Sequence, residues 1–342
     1  MDDVVACRIA DVSVPPDRPA DSSSGFPRPE GFASANLVRV LAIPVGTGND
    51  PFTDADRLLA EGVLSEAGRY FETVSYGNGR VEWSMLETDQ TVLLSETSEE
   101  LGLVGGGPTT GRADFVETVM SVVEQSIDVT KFDVVAVFLP AADKMLLAEA
   151  VPGDRLSDSG NKQNRILVGG GYAKFWQVFT HELGHAWLGL EDLYSFEQQS
   201  QFLGVWDIMQ LALLATSPEL TAWNRWLAGW LDDSQVRCVN DAKMSGHFVA
   251  AVEGETNLPQ MVVIPTGANS AVVVETRRKI GYDQNGDLTV VYIVDTTFQS
   301  GQGPIRLVGE LGEPGDVVES GGVRVTLLER VSEGDLIEVE TN

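Results

Sequence analysis

The sequence predicts an α+β protein in two parts. A sheet-and-helix domain carries one chemically distinctive helix, and an all-β, sandwich-like domain follows it. Three observations carry this. Up to about residue 235, β-branched apolar runs alternate with stretches of helical periodicity, as in a sheet covered by helices. Beyond it, short β-rich runs are separated by Gly, Asn and Pro. Between the two lies His181-Glu182-Leu183-Gly184-His185, on a segment that reads as a helix. At 342 residues, 43% of them hydrophobic, the chain is long enough for about two domains of ~150 residues and needs no staple to hold its core. The expected division is an extended arm over 1–35, a first domain over 36–235 and a β-rich domain over 236–342.

Residues 1–35 contain Pro15-Pro16, Ser22-Ser23-Ser24 and Phe26-Pro27-Arg28-Pro29, which prevent regular structure. Leu37 to Val45 (LVRVLAIPV) is a buried strand by composition. Helical spacing follows over 54–74 through Leu58, Leu59, Val63, Leu64, Tyr70, Phe71 and Val74, and Ser75-Tyr76-Gly77-Asn78-Gly79 ends it in a turn. Gly105-Gly106-Gly107-Pro108 reads as a loop, because no GK[ST] follows to make it a phosphate cradle. A second helix covers about 113–127, and Phe132–Leu139 (FDVVAVFL) is another buried strand. Ile166-Leu167-Val168 is a short strand, readable either as an edge that pairs with an extended ligand or as an ordinary core strand. Ala173 to Leu188 is helical and stops at Gly189. Ser217-Pro218 opens a last helix with Trp223, Trp226, Leu227 and Trp230 at core spacing. The β-rich runs are His247–Val252, Gln260–Ile264, Ala271–Thr276, Leu288–Val294, Val323–Leu328 and Leu336–Glu340. His247 reads as a solvated or hydrogen-bonded strand residue.

Charge narrows the function classes. The 51 acidic residues against 23 basic ones give −28, a field that repels phosphate backbones and anionic membranes and attracts cationic ligands. Nucleic-acid binding is therefore not expected. No run of about 18 apolar residues exists, so no membrane insertion is expected either. The start, Met1-Asp2-Asp3, does not read as a signal peptide, which leaves open a cytoplasmic protein or a mature form. Cys7 and Cys238 fit one long-range bridge or two buried thiols equally well by composition.

The chemistry sits in the HExxH segment. Residues four apart share a helix face, so His181 and His185 reach one metal ion, and Glu182 beside them can take a proton from water. With only three His in the chain, on the order of 0.002 chance matches are expected, so two of them falling in this pattern is a strong signal. Two imidazoles and a carboxylate suit Zn2+ with a fourth position left for water. No third His lies nearby. The chain stopping at Gly189 returns Glu191 and Asp192 toward the metal, and Trp206-Asp207-Ile208-Met209 precedes the last helix.

HELGHAWLGLEDLY (181–194), WDIM (206–209) and LTAWNRWLAGWL (220–231) together resemble the immune inhibitor A (thuringilysin-type) family of secreted bacterial zinc metallopeptidases. YFETVSYG (70–77) and VVVETRRKIGYDQNGDLTVVYIVD (272–295) extend the resemblance over most of 36–295. It implies a zincin/metzincin-like catalytic domain with a Met-turn at Met209, then a β accessory domain, and with them secretion, a propeptide and structural Ca2+. It also implies His181 and His185 as zinc ligands, Glu182 as general base and Tyr194 as a donor to the developing oxyanion. A disulfide between Cys7 and Cys238 follows from the secreted family. The family pattern is HExxHxxGxxD, and this sequence carries one extra residue between His185 and Gly189. Counting from His181 selects Glu191, and counting from Gly189 selects Asp192. The expected third ligand is Asp192, because the glycine sets the geometry after the turn. Glu191 is the alternative. The added residue among Ala186, Trp187 and Leu188 is then absorbed by a bulge or a lengthened last turn.

Asp283-Gln284-Asn285-Gly286-Asp287 offers Asp283, Asn285 and Asp287 as half of a calcium loop, against a plain turn signalled by Asn-Gly between β runs. The function read from the sequence is a secreted, monomeric zinc endopeptidase acting on protein or peptide substrates, with cationic ones favoured. The rival readings are a degenerate protease scaffold that binds a surface polymer or glycan, which would not need Glu182, and an intracellular processing peptidase.

Overall fold

A computed structural model describes residues 4–13, 22–48, 50–103, 110–143, 147–153, 155–196, 202–210, 218–240 and 243–342. Pro15-Pro16, the Gly105–Pro108 loop and Ser217 lie outside the described residues. The chain forms two compact units, one of residues 31–72 and 77–188, the other of residues 1–30, 73–76 and 189–342. The main division thus falls at Leu188/Gly189, where the sequence reading drew it at residue 235, and the N-terminal arm belongs with the second unit. Hydrophobic pattern locates elements well, but which elements share a core is decided by contacts distant in sequence.

The first unit is built on a mostly parallel sheet. Its strands are β1 (Leu37–Gly46), β2 (Arg80–Met85), β3 (Val92–Leu93), β4 (Val134–Phe138), β5 (Leu147–Val151) and β6 (Asn164–Gly169). The order is β2-β1-β4-β6-β5, with β3 also on β1, and only β5 runs antiparallel to its neighbour. Strands β4 and β6 are buried throughout, as continuous apolar runs in a parallel sheet should be. Helix α1 (Asp54–Val74) starts at a reciprocal cap, in which Thr53 N donates to Asp56 Oδ2 and Asp56 N to Thr53 Oγ1. It ends where Tyr76 and Gly77 turn left-handed. Helix α2 (Thr110–Val123) packs Phe115, Val116, Val119 and Met120 onto Leu41, Ile43, Val135 and Val137. The strand around Ile166 lies inside the sheet, between β4 and β5, so the edge-strand reading of 166–168 is corrected. The edge on that side is β5, a strand the sequence did not announce.

The other unit carries two sheets, β12-β11-β10-β9-β7 and β13-β14-β15-β8. Their strands are β7 (Val236–Cys238), β8 (Met244–Ala250), β9 (Met261–Gly267), β10 (Ser270–Arg277), β11 (Leu288–Asp295), β12 (Ile305–Leu311), β13 (Val317–Ser320), β14 (Val323–Val331) and β15 (Gly334–Thr341). Val262, Ile264, Val272, Val274 and Val291 of one sheet share a core with Val325, Leu327, Ile337 and Val339 of the other, which makes a sandwich. His247 on β8 meets Ser245 Oγ at 2.7 Å, a hydrogen-bonded strand residue as expected. Helix α4 (Ala222–Ala228) is capped by Thr221 and buries Trp223 and Trp226. Cys7 and Cys238 are joined in a disulfide, which ties the arm to β7.

A buried polar network underlies α4. Arg277 has no exposed surface. Its guanidinium meets Glu275 Oε1 at 2.6 Å and Asp283 Oδ2 at 3.0 Å, but Glu253 Oε1 only at 3.7 Å. Burial dominates at Glu253 and pushes its carboxyl up to about 8; the Arg277 charge opposes the rise, and Asp283 and Glu219 add to it. Folded protein therefore keeps a proton that the unfolded chain releases near 4.5. Stability contributed by this group is full below 4.5 and is lost as pH rises to about 8. The slope is up to about 1.4 kcal/mol per pH unit. Glu253→Gln should flatten that slope, and urea midpoints measured from pH 5 to pH 8 check it. Parallel curves for the two proteins would contradict the assignment.

Candidate active site

Helix α3 (Trp176–Leu183) delivers His181 and Glu182, and both are buried. At Gly184 the coil widens into one π-helical turn, Gly184–Leu188, before Gly189 reverses the chain at φ 66°. The widened turn takes in the three residues between His185 and Gly189. It is locked from within its own unit. Asn164 Nδ2 donates to Ala186 O at 2.8 Å, Trp187 Nε1 donates to Ser34 O at 2.8 Å, and the Trp187 ring meets Phe71 edge-on at 5.1 Å. Trp187 and Leu188 are fully buried, so shortening the turn would tear apolar side chains from the core.

His181 Nε2 and His185 Nε2 approach to 3.2 Å. Two nitrogens bound tetrahedrally to zinc at about 2.0–2.1 Å lie about 3.3 Å apart, so the pair has the spacing of two ligands on one ion. Ligand atoms of His181, His185 and Asp192 all lie within 4.8 Å of one another. Among the described residues, this is the group of His, Cys, Asp and Glu side chains placed to hold a metal. This is a zincin-type metal site. Its donor set of two imidazoles and one carboxylate fits zinc with a position to spare for water or substrate. Glu182 Oε2 accepts the backbone N–H of Ala150, on edge strand β5, at 2.7 Å. The carboxylate next to the ligand pair is thereby held by a rigid donor. The arrangement is that of a catalytically competent zinc-dependent hydrolase.

The two acids after Gly189 have separate environments. Glu191 is buried, and its carboxylate accepts Ser24 Oγ at 2.7 Å and Ser22 Oγ at 3.5 Å. Asp192 is half-buried. Its N–H donates to Ser300 Oγ at 2.8 Å, and Ser300 Oγ approaches its Oδ2 at 3.4 Å. Met209 is fully buried, and its carbonyl accepts the N–H of Leu193 at 2.9 Å, one residue past Asp192. Asp207 fixes that turn by accepting from Met209 N, Thr221 N and Asn224 Nδ2 at 2.8–2.9 Å. Burial pushes the Asp207 carboxyl up, and the backbone donors oppose the rise. Tyr194 is half-buried, with its ring edge-on to Phe196 at 5.7 Å.

Side chains of the candidate calcium segment make hydrogen bonds within the protein. Asp283 is buried against Arg277 and accepts from Asn285 N, Asn285 Nδ2 donates to Val205 O, and Asp287 accepts from Lys279 N. The segment works as the connection between β10 and β11. Sequence reasoning missed Ala150, Ser24, Ser300 and Asp207. Each acts through contacts far along the chain, and the one local signal was the serine run at 22–24.

No protein-family profile matches the chain, and no curated protein matches it. Among solved structures, the chain is similar to catalytically inactive OgpA from Akkermansia muciniphila, solved in complex with an O-glycopeptide (glycodrosocin) substrate. Identity is 10% and the TM-score 0.36, over 93% of this chain and 96% of that one. At that level of similarity, the chemistry of the site rests on its own geometry. No helix among the described residues is long and apolar enough to cross a membrane.

Proposed function

We propose that the protein is a secreted zinc metalloendopeptidase related to the immune inhibitor A (thuringilysin-type) enzymes. The observation that carries the hydrolase reading is the convergence of His181, His185 and Asp192 beside an intact, oriented Glu182. Zinc, held by these three residues, would supply Lewis acidity toward a carbonyl and toward water. Glu182 takes the proton of the attacking water and returns it to the leaving amine. Ala150 N–H keeps the carboxylate in place for both transfers.

Strand β5 supports a polypeptide substrate. Its outer side pairs with no strand among the described residues. Because Ala150 N–H points off the sheet to Glu182, two-residue alternation gives Ala148 the same outward face, ready for an extended chain. The −28 charge favours cationic segments in that chain. The Cys7–Cys238 disulfide supports an oxidising compartment, hence secretion. A polymer-binding scaffold without catalysis would not need Glu182 as a base.

Casein and a mixed peptide library should be cut internally by protein loaded with zinc, cutting should stop on chelation, and added zinc should restore it. Stoichiometric zinc without any cleavage would favour the binding scaffold. Tyr194 is proposed as the oxyanion donor. Tyr194→Phe should then lower kcat by about 10² with KM little changed, and an unchanged kcat would remove Tyr194 from the mechanism.

A further inference from the structure

We propose that the N-terminal arm positions the third metal ligand, with Ser24 acting through Glu191 to set Asp192; this rests on the zinc-site reading above. Glu191 stands between the reversal at Gly189 and the ligand Asp192, and it is the alternative ligand by spacing. Its carboxylate is instead buried against the arm, accepting Ser24 Oγ at 2.7 Å and Ser22 Oγ at 3.5 Å. Ser23 N donates to Gly189 O at 2.8 Å, so arm and ligand segment are joined at backbone and side chain within a few residues. With Glu191 turned to the arm, its neighbour Asp192 is the acid presented to the histidines.

The arm itself is fixed. Trp223 Nε1 donates to Ser24 O at 2.8 Å, and the Phe26 ring packs edge-on against Trp223 and Trp226 at 5.5 and 4.5 Å. Phe26 N donates to Ile9 O at 2.7 Å, Ser23 Oγ to Asp11 Oδ2 at 2.5 Å, and Thr296 Oγ1 to Ala10 O at 2.7 Å. Two residues before Ile9, Cys7 is bonded to Cys238. A continuous set of contacts thus runs from the disulfide through residues 9–11 and 23–26 to Glu191. Hydrogen bonds behind a ligand set how tightly a metal is held, and losing one typically costs 10- to 100-fold in affinity.

The test is zinc affinity of the full-length, disulfide-bonded protein, measured by competition with a fluorescent chelator, with near-ultraviolet circular dichroism confirming the fold of each variant. Ser24→Ala and Glu191→Ala should weaken zinc binding about tenfold or more. Glu191→Gln keeps an acceptor for Ser24 and should stay near the native value. The paired change Cys7→Ser with Cys238→Ser, which frees the arm, should weaken zinc as Ser24→Ala does. Native affinity in folded Ser24→Ala and Glu191→Ala overturns the proposal. So does loss of zinc in Glu191→Gln as severe as in Asp192→Ala, since Glu191 would then be a ligand itself. A native protein that takes up no zinc would overturn the metal site, and the proposal with it. That outcome is distinct, because it appears before any variant is compared.

Discussion

Glu182→Gln should remove nearly all peptide hydrolysis, by about 10²–10⁴ in kcat, while zinc binds with native stoichiometry. The substitution replaces one carboxylate oxygen by an amide nitrogen and leaves volume unchanged. The remaining carbonyl oxygen can still accept the Ala150 N–H that Glu182 Oε2 accepts at 2.7 Å, so the side chain need not move. What is lost is basicity, because an amide accepts no proton near neutral pH. His181, His185 and Asp192 are untouched, so metal content should not change. Kinetics on a fluorogenic peptide, with metal analysis on the same sample, separate the two effects. A variant that keeps native kcat would show that some other group takes the proton. One that loses zinc would make Glu182 a structural support of the site.

The parts of this site that were legible in the sequence are those written in local spacing. His181, Glu182 and His185 need only one helical face, and β1, β4 and β6 need only continuous apolar runs. Glu191 and Asp192 are both legible as acids just past the stop at Gly189, but the π-helical turn before it depends on packing of Trp187 and Leu188 that no local pattern states. Edge strand β5 reads Leu-Ala-Glu-Ala-Val, a weak pattern in either helix or strand, and its place at the edge is a property of the whole sheet. Asp283 reads as a calcium-loop candidate because acidic and amide side chains alternate there. Its pairing with Arg277, six residues upstream at the end of β10, is not legible locally, since a charged pair there reads as a strand terminus.

Arg277→Met should destabilise the unit containing residues 189–342 by about 3–5 kcal/mol, the range for removing one partner of a buried ion pair. Arg277 is completely buried, and every polar atom of its guanidinium has a partner. Nε meets Glu275, Nη1 meets Asp283, and Nη2 donates to the carbonyls of Trp206 and Leu220 at 3.0 and 3.2 Å. Methionine fills much of the volume but leaves Glu275 and Asp283 buried without their cation. Glu275 would retain Tyr292 Oη and Ala222 N, at 2.8 and 2.7 Å, which soften the cost without supplying charge. The two carbonyls released flank the segment that holds Met209 and Asp207, so the loss reaches the turn whose Met209 carbonyl holds Leu193. Exposed Arg324, paired with Glu319 in solvent, is the control, and its replacement by Met should change stability by less than about 1 kcal/mol. Tryptophan fluorescence during urea unfolding reports on this unit through buried Trp206, Trp223, Trp226 and Trp230, and on the other through Trp83, Trp176 and Trp187, so the two transitions are compared in each variant. If Arg277→Met and Arg324→Met shifted the transition equally, the buried network would be neutral for stability, and its arginine would matter only for which structure forms.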